Sequence, residues 1–281
     1  MFGGSLKHLD QRVIALDHSK EMSSATDTGT MGPIWQYWEQ GADSAPPIVQ
    51  MCLQSVRRNN GGREVIVLDD QTIQQYIELP EHIWRKRHLM SRAHFSNFVR
   101  LGLLKRHGGT WLDATILLTK PMPKRLENRS FLMLRQSGNP RLTETWFIHA
   151  RQGHPFIETI FHALSDYWKH YDGLHGYFMF AYHIEALLIL HARLRRRFLR
   201  MPQIAVHSAH ALQKQFDNPF DEVAHRAILE RSWLHKLSYK FVRPETDERL
   251  LWDAMVDGWP ECVVSAPGSK GASTPRASAA Q

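Results

Sequence analysis

The run SRAHFSNFVRLGLLKRHGGTWLDATILL, residues 91–118, constrains the fold more than any other stretch. Phe95, Phe98, Val99 and Leu103 recur at helical spacing, with Ser91 ahead of them as a candidate N-cap. Gly108-Gly109 ends that helix, because glycine enters the left-handed conformation without steric cost and turns the chain sharply. TWLDATILL then reads as a strand that is apolar except for Asp113 and the threonines. An ordinary buried strand has no use for a carboxylate there, so Asp113 asks for a chemical role.

The same alternation runs along the chain. PIWQYW (33–38) is a short β-prone run. PPIVQMCLQSVRRNNGG reads as a helix, with prolines at its start, apolar Ile48, Met51, Cys52, Ser55 and Val56 at helical spacing, and an Asn-Gly-Gly stop. REVIVLDD is a buried strand of the parallel-sheet type, ending in Asp69 and Asp70, one of which caps the short helix TIQQYIEL. TWFIHA is a further strand, while HPFIETIFHALSDYWKHY and GYFMFAYHIEALLILHARLRRRFLR read as two long helices. Strands and helices joined by short links predict an α/β fold, with a mostly parallel mixed sheet flanked by helices and a helical C-terminal half. One domain over 33–264 is expected, without repeats, between a flexible lead (1–32) and a disordered tail (265–281).

The chain has 281 residues, enough for a substantial core, and its 35 Lys and Arg against 28 acidic residues give a net charge of +7. That excess favours anionic partners: nucleic acid, acidic lipid or phosphorylated small molecules. The basic residues are spread along the chain and no nucleic-acid-binding module is recognisable, which argues against nucleic acid. Cys52 and Cys262 are its two cysteines, so neither a disulfide framework nor a zinc pair is expected. Without a secretory signal or a membrane-spanning run, the expected place is cytoplasmic. The run RLRRRFLR (193–200) is either a solvated helix end or a peripheral contact with the inner face of the membrane through Leu194, Phe198 and Leu199. His207 and His210 are three apart without a third ligand nearby, and stand as surface histidines.

Ligands of open α/β sheets bind beyond the carboxyl ends of the strands, where Asp69, Asp70 and Asp113 are expected. A carboxylate fixed there, in a basic protein, suits a magnesium or manganese ion that bridges to a phosphorylated ligand. Glu144, just before TWF, reads as a strand-edge acid or as a group that holds an acceptor. Trp35 and Trp38 read singly as core aromatics. Gln36 points to the opposite face of its strand and is the better polar candidate.

The motifs SNFVR (96–100) and LLxxxGGxWxDAT (103–115) together resemble the capsular polysaccharide synthesis family of bacterial sugar transferases. That family is related to DXD-containing mannosyltransferase-like enzymes of the GT-A fold, with the patterns S-D-x-x-R and G-G-x-Y-x-D-x-D. IWQYWEQG, EVIVLDD with IELP, TWFIHARQGHP and HKLSYK (235–240) extend the resemblance over roughly residues 33–241. It implies a GT-A-type nucleotide-sugar-binding fold and a glycosyltransferase. The donor would be a nucleotide-diphosphate sugar, the acceptor an oligosaccharide, polysaccharide or lipid-linked glycan, the cofactor manganese or magnesium, and the anomeric configuration retained. By resemblance Asp113 takes the first DXD position, for metal and donor, and Arg100 lies near the donor sugar and diphosphate. Trp35, Gln36 and Trp38 would cradle the base, His235 would bind the metal, and Lys240 the phosphate. Two positions depart from the pattern: Thr115 stands for the second acid of DXD, and Asn97 for the aspartate of S-D-x-x-R, where it can still bond a ribose hydroxyl. A bridge from Arg100 to Asp113 is the structural alternative for that arginine. Two rival readings stand beside the enzyme: an inert relative that binds glycan or a synthesis complex, and a basic nucleic-acid-binding protein.

Overall fold

The computed structural model describes residues 32–260, except 128, 137–142, 175, 202 and 205–208. The lead up to residue 31, the tail 265–281, Cys262 and His207 lie outside the described residues. The strands are β1 (Ile34–Tyr37), β2 (Val65–Leu68), β3 (Gly109–Leu112), β4 (Ile116–Leu118), β5 (Phe131–Gln136), β6 (Thr143–Ala150), β7 (Gln203–Ile204) and β8 (Leu234–Lys236). The helices are α1 (Pro47–Arg58), α2 (Ile73–Tyr76), α3 (Glu81–Arg85), α4 (Arg92–His107), α5 (Lys124–Glu127), α6 (Pro155–His170), α7 (Met179–Leu190), α8 (Ala192–Leu199), α9 (Glu222–Glu230) and α10 (Leu251–Val256).

The main sheet has six strands in the order β2-β1-β3-β6-β5-β7. β1 pairs parallel with β2 and β3, β6 runs antiparallel to both β3 and β5, and β7 is parallel to β5. All strands but β6 therefore point one way, as expected for an α/β fold. Strand alternation sends Trp35, Tyr37 and Trp111 to one face, where they pack with Phe95, Phe98 and Leu103 of α4 and with α6 and α7. Ile34 and Leu112 go to the other face, against Val56 of α1 and Ile116 and Leu118 of β4. Each such side chain, fully buried, stabilises the fold by about 1.5–3 kcal/mol. The caps follow the sequence: Ser91 Oγ accepts from His94 N, Pro47 opens α1, and Asp69 Oδ1 accepts from Gln71 N and Thr72 N ahead of α2.

Four expectations change. TWLDATILL is not one strand: Asp113 N donates to Trp146 O (3.0 Å) and Ile116 N to Asp113 O (2.9 Å), which closes a turn. β4 then leaves the main sheet and pairs antiparallel with β8. β2 lies at the sheet edge, so Val65, Ile66 and Val67 are only half-buried. The predicted helix 176–200 breaks at His191, whose backbone is extended, and FLMLRQ adds the strand β5. Past that break Phe198 is buried in the core and Leu194 packs against it, while Leu199 remains 48% exposed. No described helix is long and apolar enough to cross a membrane.

Candidate active site

The glycine pair places Asp113. Gly108 has φ +67° and Gly109 φ +100°, and a Cβ on Gly109 would run into the carbonyl oxygen of Pro33. The backbones of β1 and β3 thus approach closely, and β3 ends with Asp113 at the carboxyl edge of the sheet. Beyond that edge lies a cleft of about 440 Å³, lined among others by Trp38, Asn97, Arg100, Asp113, Thr115, Glu144, Lys236, Tyr239 and Lys240.

Asp113 is held from three sides. Its Oδ1 accepts from Trp111 Nε1 at 2.8 Å and from Arg100 Nη2 at 3.0 Å. Its Oδ2 accepts from Lys236 Nζ at 3.0 Å, and the same ammonium donates to Thr115 Oγ1 at 2.5 Å. Burial acts to raise the Asp113 carboxyl, but Lys236, Arg100 and the Trp111 and Lys236 hydrogen bonds outweigh it and hold it down at about 2. Arg100 is itself buried, which pulls its own affinity for the proton down while Asp113 opposes that; a guanidinium stays charged throughout. It also donates to Thr145 O (2.8 Å) and Ser96 Oγ (3.3 Å) and lies over the Trp111 ring. Arg100 thus makes the bridge to the carboxylate and also lines the cleft.

Lys236 arrives through β8. Ile116 pairs with Lys236 and Leu117 with His235, and Leu237 N donates to Thr115 O at 2.9 Å. Adjacent strand residues point to opposite faces, so His235 and Lys236 cannot both face the cleft. Lys236 does, whereas His235 is fully buried, is absent from the cleft lining, and lies with Nε2 at 3.2 Å from Leu229 O. Burial lowers its pKa.

The first-strand residues divide. Trp38 lines the cleft and meets Tyr239 edge-on, with ring centroids 5.0 Å apart at 85°. Trp35 is core: it is 2% exposed and its Nε1 donates to Gly108 O at 2.8 Å. Gln36 is also fully buried, and neither amide atom has a hydrogen-bond partner among the described residues. Lys240 is an exposed part of the cleft wall, its Nζ 5.7 Å from the Tyr239 ring centre. Asn97 and Thr115 line the cleft as buried polar groups. Glu144 reaches it from β6, with His210 Nε2 at 4.0 Å from its Oε1. At the rim, Glu39 bridges Arg87 (2.7 Å) and Arg92 (2.5 Å), and Asp70 takes Tyr37 and Arg87.

These residues do not fit a divalent metal ion. Hard cations take anionic oxygens, and both oxygens of Asp113 already face cationic or N–H donors. Thr115 is neutral and bonded to Lys236. Among the described residues no three His, Cys, Asp or Glu side chains converge on a common point. His210, expected as a surface histidine, lines the cleft beside Glu144. Lys236 and Tyr239 lie within HKLSYK, but neither stands out there as a site residue.

A model built for capsular polysaccharide synthesis protein matches residues 6–255, most of the chain. The chain belongs to that family. No curated protein matches this member significantly. The solved structures similar to it at low identity include two glycosyltransferases. "PaToxG Glycosyltransferase" is 15% identical, with a TM-score of 0.41 over 81% of this chain and 92% of its own. The apo-form glycosyltransferase GlyE of Streptococcus pneumoniae TIGR4 is 12% identical, with a TM-score of 0.41 over 86% of this chain and 66% of its own.

Proposed function

We propose that this capsular polysaccharide synthesis protein is a glycosyltransferase of GT-A type, which moves a sugar from a nucleotide-diphosphate donor to a glycan acceptor. The observation that carries this reading is Asp113, ionised and immobilised at the carboxyl edge of the sheet, inside a cleft with an aromatic wall and basic residues. The Trp38 and Tyr239 rings offer a surface for the base, and Asn97 a hydrogen bond to the ribose. Asp113, unable to move, bonds a donor-sugar hydroxyl and orients the anomeric carbon. Lys240 adds positive charge for the diphosphate.

The acceptor oxygen then bonds to the anomeric carbon as the bond to the diphosphate breaks, its electron pair staying on the phosphate oxygen. With retention, the acceptor proton passes to that departing oxygen, while Glu144, beside His210, holds the acceptor. The α7–α8 segment exposes Ile189, Leu190 and Leu199 as well as Arg195, Arg196 and Arg200, which suits a lipid-linked acceptor at an anionic membrane surface.

A thermal-shift series with UDP- and GDP-sugars tests the reading, because a ligand that binds the folded chain raises its melting temperature. At millimolar donor, a rise of several degrees with at least one of them is expected. No shift with any donor contradicts it.

A further inference from the structure

In a D-x-D site two carboxylates hold a cation between them. Here the space between the first and third side chains of Asp113-Ala114-Thr115 is filled by the ammonium of Lys236, 3.0 Å from Asp113 Oδ2 and 2.5 Å from Thr115 Oγ1. We propose that Lys236 is the resident cation of this site, so that donor binding and diphosphate departure need no divalent metal. The inference rests on the glycosyltransferase reading above.

Three observations bear it. First, the loss of the second acid and the presence of the lysine match: Thr115 offers the ammonium an oxygen and no charge, which a divalent ion would use poorly. Secondly, the charges already sum in favour of an anion. Asp113 contributes −1 and Arg100 and Lys236 each +1, so the cluster is +1; a divalent ion would add to that excess, whereas a diphosphate is attracted by it. Thirdly, the lysine is built into position. The β4–β8 pairing and the Leu237–Thr115 backbone bond set its Cα, and its side chain is only 18% exposed. An ammonium has three N–H donors. Two are taken by Asp113 and Thr115, and the third has no partner among the described residues, so it can meet a phosphate oxygen in the cleft.

The arrangement also accounts for Arg100. With Lys236 on Oδ2, Arg100 and Trp111 on Oδ1 keep the carboxylate from swinging with the lysine when a ligand binds. Arg100 is thus a positioning residue and Lys236 the ligand-binding cation.

The test is donor affinity, measured by calorimetry on the full chain with UDP-glucose, UDP-N-acetylglucosamine and GDP-mannose, in EDTA and then in manganese or magnesium. The expected result is at least one donor whose Kd changes less than threefold between EDTA and metal. Lys236→Met should weaken that donor at least tenfold, and Lys236→Arg should restore most of the affinity, with both variants melting cooperatively. Binding by the wild type only after metal is added overturns the proposal and leaves the glycosyltransferase reading intact. Undiminished affinity in a folded Lys236→Met protein overturns it too. Absence of binding under either condition contradicts both the reading and the proposal. The chelation arm uses the wild type alone, so it decides even where a variant fails to fold.

Discussion

Asp113 shows what a single residue can reveal before its surroundings are known. The carboxylate stood out because GGTWLDAT puts a charge in an apolar run, and Thr115 stood out because it is not an acid. Neither residue discloses its partner, since Lys236 lies 123 positions further along and meets Asp113 only through the pairing of β8 with β4. The resemblance gives His235 the metal role, yet strand alternation turns it inward. Gln36 carries a sharper lesson. The resemblance assigns it to the base, and its place on the face opposite Trp35 makes it the better polar candidate, but that face is core as well. Its unpaired amide costs stability, so Gln36→Met should stabilise the protein by about 1–2 kcal/mol and leave donor affinity unchanged. Urea midpoints and donor titration check both halves. A donor Kd raised several-fold would return Gln36 to the binding site.

At the scale of elements, α4 and β3 were legible because their signals are local: a helical apolar face, a serine cap and a glycine stop. Where the strand ends was not legible. Ala114 and Ile116 are as apolar as the residues before them, and the turn depends on Trp146 O, which arrives on β6. β5 is hard to read for a related reason: its partners among the described residues, β6 and β7, come later in the chain. The close approach of β1 and β3 makes Gly109 the most exacting position of this region. Gly109→Ala combines an unfavourable positive φ with a collision against the Pro33 carbonyl, and should cost about 3 kcal/mol or more. A denaturant midpoint like that of the wild type would show that the strands can separate without loss, and that Asp113 is held less firmly than described.

At the scale of the molecule, the charge of +7 and the cleft agree, and the buried histidines set how the fold responds to acid. Burial lowers the pKa of His82, His94, His149, His225 and His235, with His149 brought to about 4. A histidine whose folded pKa is depressed has no effect on stability above its unfolded value of 6.5, where both states are neutral. Below 6.5 the unfolded chain takes up protons that the fold refuses, so stability falls down to the folded pKa. For His149 alone the loss between pH 6.5 and pH 4 is on the order of 3 kcal/mol. Asp113 works in a lower window: its contribution is complete above pH 4 and disappears as pH falls towards about 2. Urea midpoints at pH 7.5, 6 and 5 should therefore fall stepwise, and His149→Gln should flatten part of the decline. A constant midpoint would contradict the burial of these rings.

All three scales meet in one measurement: release of nucleotide from a donor sugar, with acceptor or by hydrolysis, compared between the wild type and Asp113→Ala. Removing the carboxylate leaves Arg100 and Lys236 facing each other and takes away the group that orients the sugar. The account predicts a rate reduced at least a hundredfold in a variant that still melts cooperatively, at a lower temperature than the wild type. A folded Asp113→Ala protein that releases nucleotide at the wild-type rate would contradict the assignment of this cleft as the active site.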